Sequence, residues 1–110
     1  MKQLVIFSIF LISLNGRAQS PAFRFAFITD THIGSPDGQA EEDLRRTVRD
    51  INANPDIAFV VLTGDITEMG TNEELKLAKQ ILDSLRVPWY IIPGNHDTGW
   101  SESGGDMFKT

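Results

Sequence analysis

Three short clusters hold the side chains with chemistry to offer: Asp30 and His32 in "DTH", Gly64 and Asp65 in "TGD", and Gly94, Asn95, His96 and Asp97 in "PGNHD". Carboxylate oxygens, imidazole nitrogens and an amide carbonyl oxygen are donors that divalent manganese, iron or zinc accepts. In extended backbone, residues two apart point the same way, so Asp30 and His32 are placed to approach one cation while Thr31 points away. Asp65 follows a glycine that permits a tight turn or a close approach, and its two oxygens suit it to bridging two ions. Asn95 offers a carbonyl oxygen, His96 can give or take a proton near neutral pH, and Asp97 is placed as a partner behind them. Taken singly, each cluster also has an ordinary structural reading. These are a turn-starting Asp followed by an exposed His, a strand-ending Gly-Asp, and a self-bonded or helix-capping Asn-His-Asp.

The elements that must position these residues are legible around them. Each cluster closes an apolar run, "FRFAFITDTH", "DIAFVVLTGD" and "VPWYIIPGNHD". The runs lie about a βα unit apart and alternate poorly, which predicts parallel strands covered on both faces. Between the first two, Leu44, Val48 and Ile51 recur at helical spacing before the stop at Asn54 and Pro55. Glu41, Glu42 and Asp43 fall in the first turn of that helix, and Glu41 with Arg45 and Glu42 with Arg46 form i,i+4 pairs. The arginines therefore read as a solvated face rather than a phosphate site. The second connection opens with a Thr71 to Glu74 capping box and carries Leu75, Ala78, Leu82 and Leu85 on one stripe. The order is β-α-β-α-β, an α/β class. Right-handed crossovers gather the strand C-terminal ends, and with them all three clusters, on one edge.

This constellation resembles the calcineurin-like metallophosphoesterase family, whose opening motifs are Asp-x-His, Gly-Asp and Gly-Asn-His-Asp/Glu in this order. The resemblance implies an α/β sandwich of which this chain supplies a parallel-sheet portion. It also implies a hydrolase acting on phosphoric esters, either a phosphomonoesterase or a phosphodiesterase, with two divalent metal ions. Asp30 and His32 would bind the first ion, Asp65 would bridge both, and Asn95 would bind the second. His96 would stand beside the scissile phosphate and protonate the leaving oxygen, backed by Asp97, while a metal-bridging hydroxide attacked phosphorus in line. Gly64 and Gly94 would form the supporting turns. The family's later motifs, a further His and then Gly-His-x-His, are absent, since His32 and His96 are the two histidines of the sequence. The second metal site is therefore expected to be weak, and residues 19–110 are expected to be the N-terminal part of a longer domain, poorly active alone. Purple acid phosphatases resemble the same pattern but carry Tyr three residues after the Gly-Asp aspartate, where this sequence has Glu68. The alternative to an enzyme is a non-catalytic, metal-stabilised binding domain, which would have no use for a proton donor at His96.

Composition narrows the context. The 110 residues, 41% hydrophobic and 23% charged, suit at most one globular domain. The opening "MKQLVIFSIFLISLNGRAQS" has Lys2, an apolar block from Leu4 to Leu14, and Gly16 and Ala18 placed like a cleavage site. This predicts a signal peptide over residues 1–18 and a secreted or periplasmic product. The block falls short of the roughly 20 apolar residues that span a bilayer, so no stable membrane anchor is expected. With no cysteine there is neither a disulfide framework nor a thiolate ligand. A net charge of −5 disfavours a broad nucleic-acid surface. A phosphorylated small molecule or phosphodiester is still compatible with that charge, because bound cations reverse the local field. Neither G-x-G-x-x-G nor G-x-x-x-x-G-K follows a strand, which removes the common nucleotide-binding loops.

Overall fold

The computed structural model describes residues 22–99. The signal peptide expected over residues 1–18, and Trp100 beyond the last cluster, lie outside the described residues. Strands β1 (Arg24–Ile28), β2 (Ile57–Thr63) and β3 (Trp89–Ile92) alternate with helices α1 (Ala40–Asn52) and α2 (Asn72–Leu82), and a single-turn helix α3 (Asn95–Thr98) follows β3. The sheet is parallel in the order β1-β2-β3, with Phe25 opposite Phe59 and Val61 opposite Tyr90. The α/β class and the β-α-β-α-β order are as the sequence predicts.

Helix α1 buries Leu44, Val48 and Ile51, the three residues of its predicted stripe. Helix α2 starts on the expected capping box: Thr71 Oγ1 accepts from the Glu74 N–H at 3.2 Å, and Glu74 Oε2 accepts from the Thr71 N–H at 3.1 Å. Leu75, Ala78, Ile81 and Leu82 form its buried side. Leu85 falls beyond the helix end and is only half-buried. The ion pairs on α1 differ in part from the expected ones. Arg45 pairs with Glu41 at 2.8 Å, but Glu42 pairs with Arg49 at 2.8 Å and Arg46 leans toward Asp43 at 3.6 Å. The Arg49 side chain extends back along two turns of the helix to reach Glu42.

Both helices pack on one face of the sheet. Val60 and Leu62 of β2 join the helical residues in a single core, with Ile33 and Ile66 from the segments after β1 and β2. This corrects the expectation of strands covered on both faces, because among the described residues the opposite face is bare. Phe27 is 61% exposed, Tyr90 59% and Ile92 60%. The physical reason is the strand order. Three strands laid side by side in chain order, joined by crossovers of one hand, must carry both connections on the same side. On the bare face Phe25 stacks on Phe59, with ring centroids 5.2 Å apart and planes within 4°. Among the described residues no helix is long and apolar enough to cross a membrane.

The pairing does not stop where the strands end. The Asp30 N–H donates to the Gly64 carbonyl at 3.2 Å, His32 N–H to Asp65 O at 3.0 Å, and Ile33 N–H to Ile66 O at 2.9 Å. The Glu68 N–H returns a bond to Ile33 O at 2.9 Å, and on the other flank the Gly64 N–H donates to Ile92 O at 2.7 Å. Thr29 Oγ1 donates to Thr63 O at 2.7 Å and Thr31 Oγ1 to Ile66 O at 2.8 Å, so the two threonines staple the same junction. The polar segments after β1 and β2 are thereby held as an extension of the sheet.

Candidate metal centre

Asp30, His32 and Asp65 each offer one ligand atom, and the three atoms lie within 4.8 Å of one another. Their convergence does not arise as the alternation of an extended chain would have it. Asp30, His32 and Asp65 adopt left-handed backbone, with φ of 54°, 45° and 47°. That conformation costs a residue with a Cβ on the order of 1 kcal/mol, and Asp and His tolerate it better than most. The turned backbone brings His32 Nε2 within 3.8 Å of Asp30 Oδ1, and the interstrand bonds described above hold it there. Thr31 does turn aside, toward Ile66 O.

The two glycines answer to different constraints. Gly64 has φ of +75°, which favours a residue without a Cβ. Gly94 lies in extended backbone that any residue adopts, so it does not turn the chain as the sequence reading has it. Its constraint is space: a Cβ there would run into the backbone nitrogen and Oδ1 of Asp65 and approach Gly64 Cα to 2.9 Å. This close passage carries α3 up to the Asp65 carboxylate, whose Oδ1 accepts from the His96 N–H at 3.1 Å. Asn95 is exposed between these two points of contact.

His32 and His96 meet edge to face, with ring centroids 5.0 Å apart. Glu68, which motif spacing had not marked as part of the site, touches both. Its Oε2 lies 2.8 Å from His32 Nδ1 and its backbone carbonyl 2.6 Å from His96 Nδ1. The signals in the sequence are slight: an acidic residue three places after Asp65, at the position where purple acid phosphatases carry Tyr, in a loop where acidic residues are ordinary. The Glu68 carbonyl raises the His96 pKa above the usual histidine value; burial opposes this, and the carboxylates of Asp65, Glu68 and Asp97 add to the rise.

Asp97 is placed differently from the catalytic position the sequence reading gives it. It is fully buried, and its carboxylate accepts from the Ile66 N–H at 3.2 Å, the Thr67 N–H at 2.9 Å, Thr67 Oγ1 at 2.8 Å and the Gly94 N–H at 2.8 Å. A buried carboxylate needs several donors, and the turn after β2 supplies them. Asp97 therefore ties α3 to that turn, and at Nδ1 of His96 the partner is the Glu68 carbonyl. Two carboxylates and an imidazole in one cluster, with an exposed amide nearby, form the nitrogen and oxygen donor set that suits manganese, iron or zinc, so the residues present fit a divalent cation.

The sequence profile of the calcineurin-like phosphoesterase family matches residues 23–109. The chain is 43% identical over 77 residues to a probable glycerophosphodiester phosphodiesterase of Arcobacter nitrofigilis, covering 64% of this chain and 28% of that protein. It is 36% identical over 81 residues to a glycerophosphodiester phosphodiesterase of Enterobacter lignolyticus, covering 66% and 28%. A probable cyclic nucleotide phosphodiesterase of Rhodopseudomonas palustris is 35% identical over 80 residues, covering 67% and 29%. The chain thus spans less than a third of the length of these curated relatives.

Proposed function

The chain belongs to the calcineurin-like phosphoesterase family, and from that premise we propose that it carries the first part of the active site of a metal-dependent phosphodiesterase acting on small phosphodiesters. The observation that carries this reading is the cluster of Asp30, His32 and Asp65 donor atoms within 4.8 Å, with His96 against His32. Relatives named for glycerophosphodiesters and cyclic nucleotides favour a diester over a monoester.

Asp30 and His32 would hold one cation, Asp65 would share it with a second, and Asn95 would serve the second. Bound divalent cations supply Lewis acidity and a water of lowered pKa. His96 holds its proton at higher pH than an ordinary histidine, because the Glu68 carbonyl engages Nδ1. That proton is available to a leaving oxygen while the ring is charged. Asp65 accepts the His96 backbone N–H and so holds the start of α3 at the cation cluster. Residues 19–110 would form the N-terminal part of the domain, behind an exported leader of residues 1–18.

The test is manganese binding by calorimetry together with hydrolysis of bis(p-nitrophenyl) phosphate. The chain is expected to bind manganese, to lose at least about tenfold in affinity as Asp65→Asn, and to show slow, metal-dependent turnover. His96→Ala is expected to keep the metal and lower the turnover. No uptake at millimolar manganese, or uptake indifferent to Asp65→Asn, would refute the reading. Turnover equal in His96→Ala and wild type would favour a different mechanism, and metal binding without turnover would favour the non-catalytic metal-stabilised domain.

A further inference from the structure

We propose that Glu68 is a positioning residue that sets the tautomer of both imidazoles in the site, through its side chain for His32 and its main chain for His96. The use of that tautomer rests on the metal-dependent reading above; the hydrogen-bond chemistry does not. An ionised carboxylate and a backbone carbonyl can only accept. At 2.8 Å from Glu68 Oε2 and 2.6 Å from Glu68 O, the Nδ1 of each ring must therefore be the donor. When neutral, both rings then carry their proton on Nδ1 and have an unprotonated Nε2 on the side away from Glu68. For His32 that atom is the one 3.8 Å from Asp30 Oδ1, inside the candidate cation cluster. A lone pair there is ready to ligate without a tautomer change. The edge-to-face packing of the two rings at 5.0 Å limits the ring flips that would exchange the two nitrogens.

One residue thus reaches two rings by unlike means, and this separates positioning from general structural support. Replacing the Glu68 side chain removes the acceptor of His32 but keeps the carbonyl that serves His96. Glu68, His32 and His96 also lie close enough to hold a cation directly among them, with donor atoms within 4.8 Å. A carboxylate that ligates and one that orients respond differently to Glu68→Gln, because an amide oxygen still accepts from Nδ1 but is a much poorer ligand.

The experiment uses the metal-stripped chain with nitrogen-labelled histidine, read by long-range proton–nitrogen NMR at alkaline pH, followed by manganese titration. The wild type is expected to show the Nδ1–H tautomer at both histidines. In Glu68→Leu, His32 is expected to move to the Nε2–H form while His96 does not, with manganese affinity falling about 10- to 100-fold. Glu68→Gln is expected to restore the His32 tautomer and bring affinity to within a few-fold of wild type, which keeps the test decisive if Glu68→Leu fails to fold. An Nε2–H form at His32 in the wild type, no change at His32 in Glu68→Leu, or a change at both rings would overturn the proposal. Affinity lost as deeply in Glu68→Gln as in Glu68→Leu would make Glu68 a ligand and would overturn it too. The expected tautomers in a wild-type chain that binds no manganese would support this inference while refuting the metal-dependent function.

Discussion

Asp97 and His96 are neighbours in sequence with opposite employments. The Asp97 carboxylate satisfies four donors in a fully buried position, so its removal strands main-chain N–H groups away from water. Asp97→Ala should lower the stability of the metal-free chain by about 3 kcal/mol, at the upper end for a stripped buried donor set. Urea unfolding measures this, and a loss below about 1 kcal/mol would show that the turn after β2 does not depend on it. For His96 the expectation concerns pH. The Glu68 carbonyl favours the charged ring, so in the metal-free chain His96 should titrate above the ordinary midpoint of about 6.5. With the folded value the higher one, the linked stabilisation is complete below the unfolded midpoint and fades as pH rises through the folded one. Proton NMR of the ring gives the midpoint directly, and a value at or below that of an unstructured histidine contradicts the assignment.

At the scale of elements, α2 is the clearest case of a sequence signal with a matching cause. Thr71→Ala removes the acceptor for the Glu74 N–H and should cost about 1 kcal/mol, whereas Thr71→Ser should be neutral within a few tenths. Equal unfolding midpoints for Ala and wild type would show that tertiary packing alone starts this helix. The helices and strand ends were legible because local periodicity and capping chemistry determine them. The left-handed backbone at Asp30, His32 and Asp65 was not, since it follows from hydrogen bonds to residues more than thirty places away. Glu68 is not marked as a site residue by local pattern for the same reason. Its partners, His32 and His96, lie in different clusters, and only the pairing of the segments after β1 and β2 brings it between them. The motif sets Asp97 beside His96, whereas its surroundings in space are the turn after β2.

Across the whole molecule, the sheet divides stability unevenly between its faces. Leu62 is completely buried beneath the helices, and Leu62→Ala should cost about 3 kcal/mol. Phe27 on the far face is 61% exposed, and Phe27→Ser should change stability by less than about 1 kcal/mol despite the larger side chain. Urea midpoints of the two variants compare the faces directly; a Phe27 effect as large as that of Leu62 would mean the far face is covered in solution. The one-sided covering was hidden from sequence reading because strand order, unlike strand identity, has no local signature. That order has a consequence for biosynthesis. β1, β2 and β3 leave the ribosome in the sequence in which they stand side by side, so every newly emerged strand finds its neighbour already waiting. Among the described strands no vacancy has to be kept open for a later arrival. Asp30, His32 and Asp65 can be brought together while the polypeptide is still being extended.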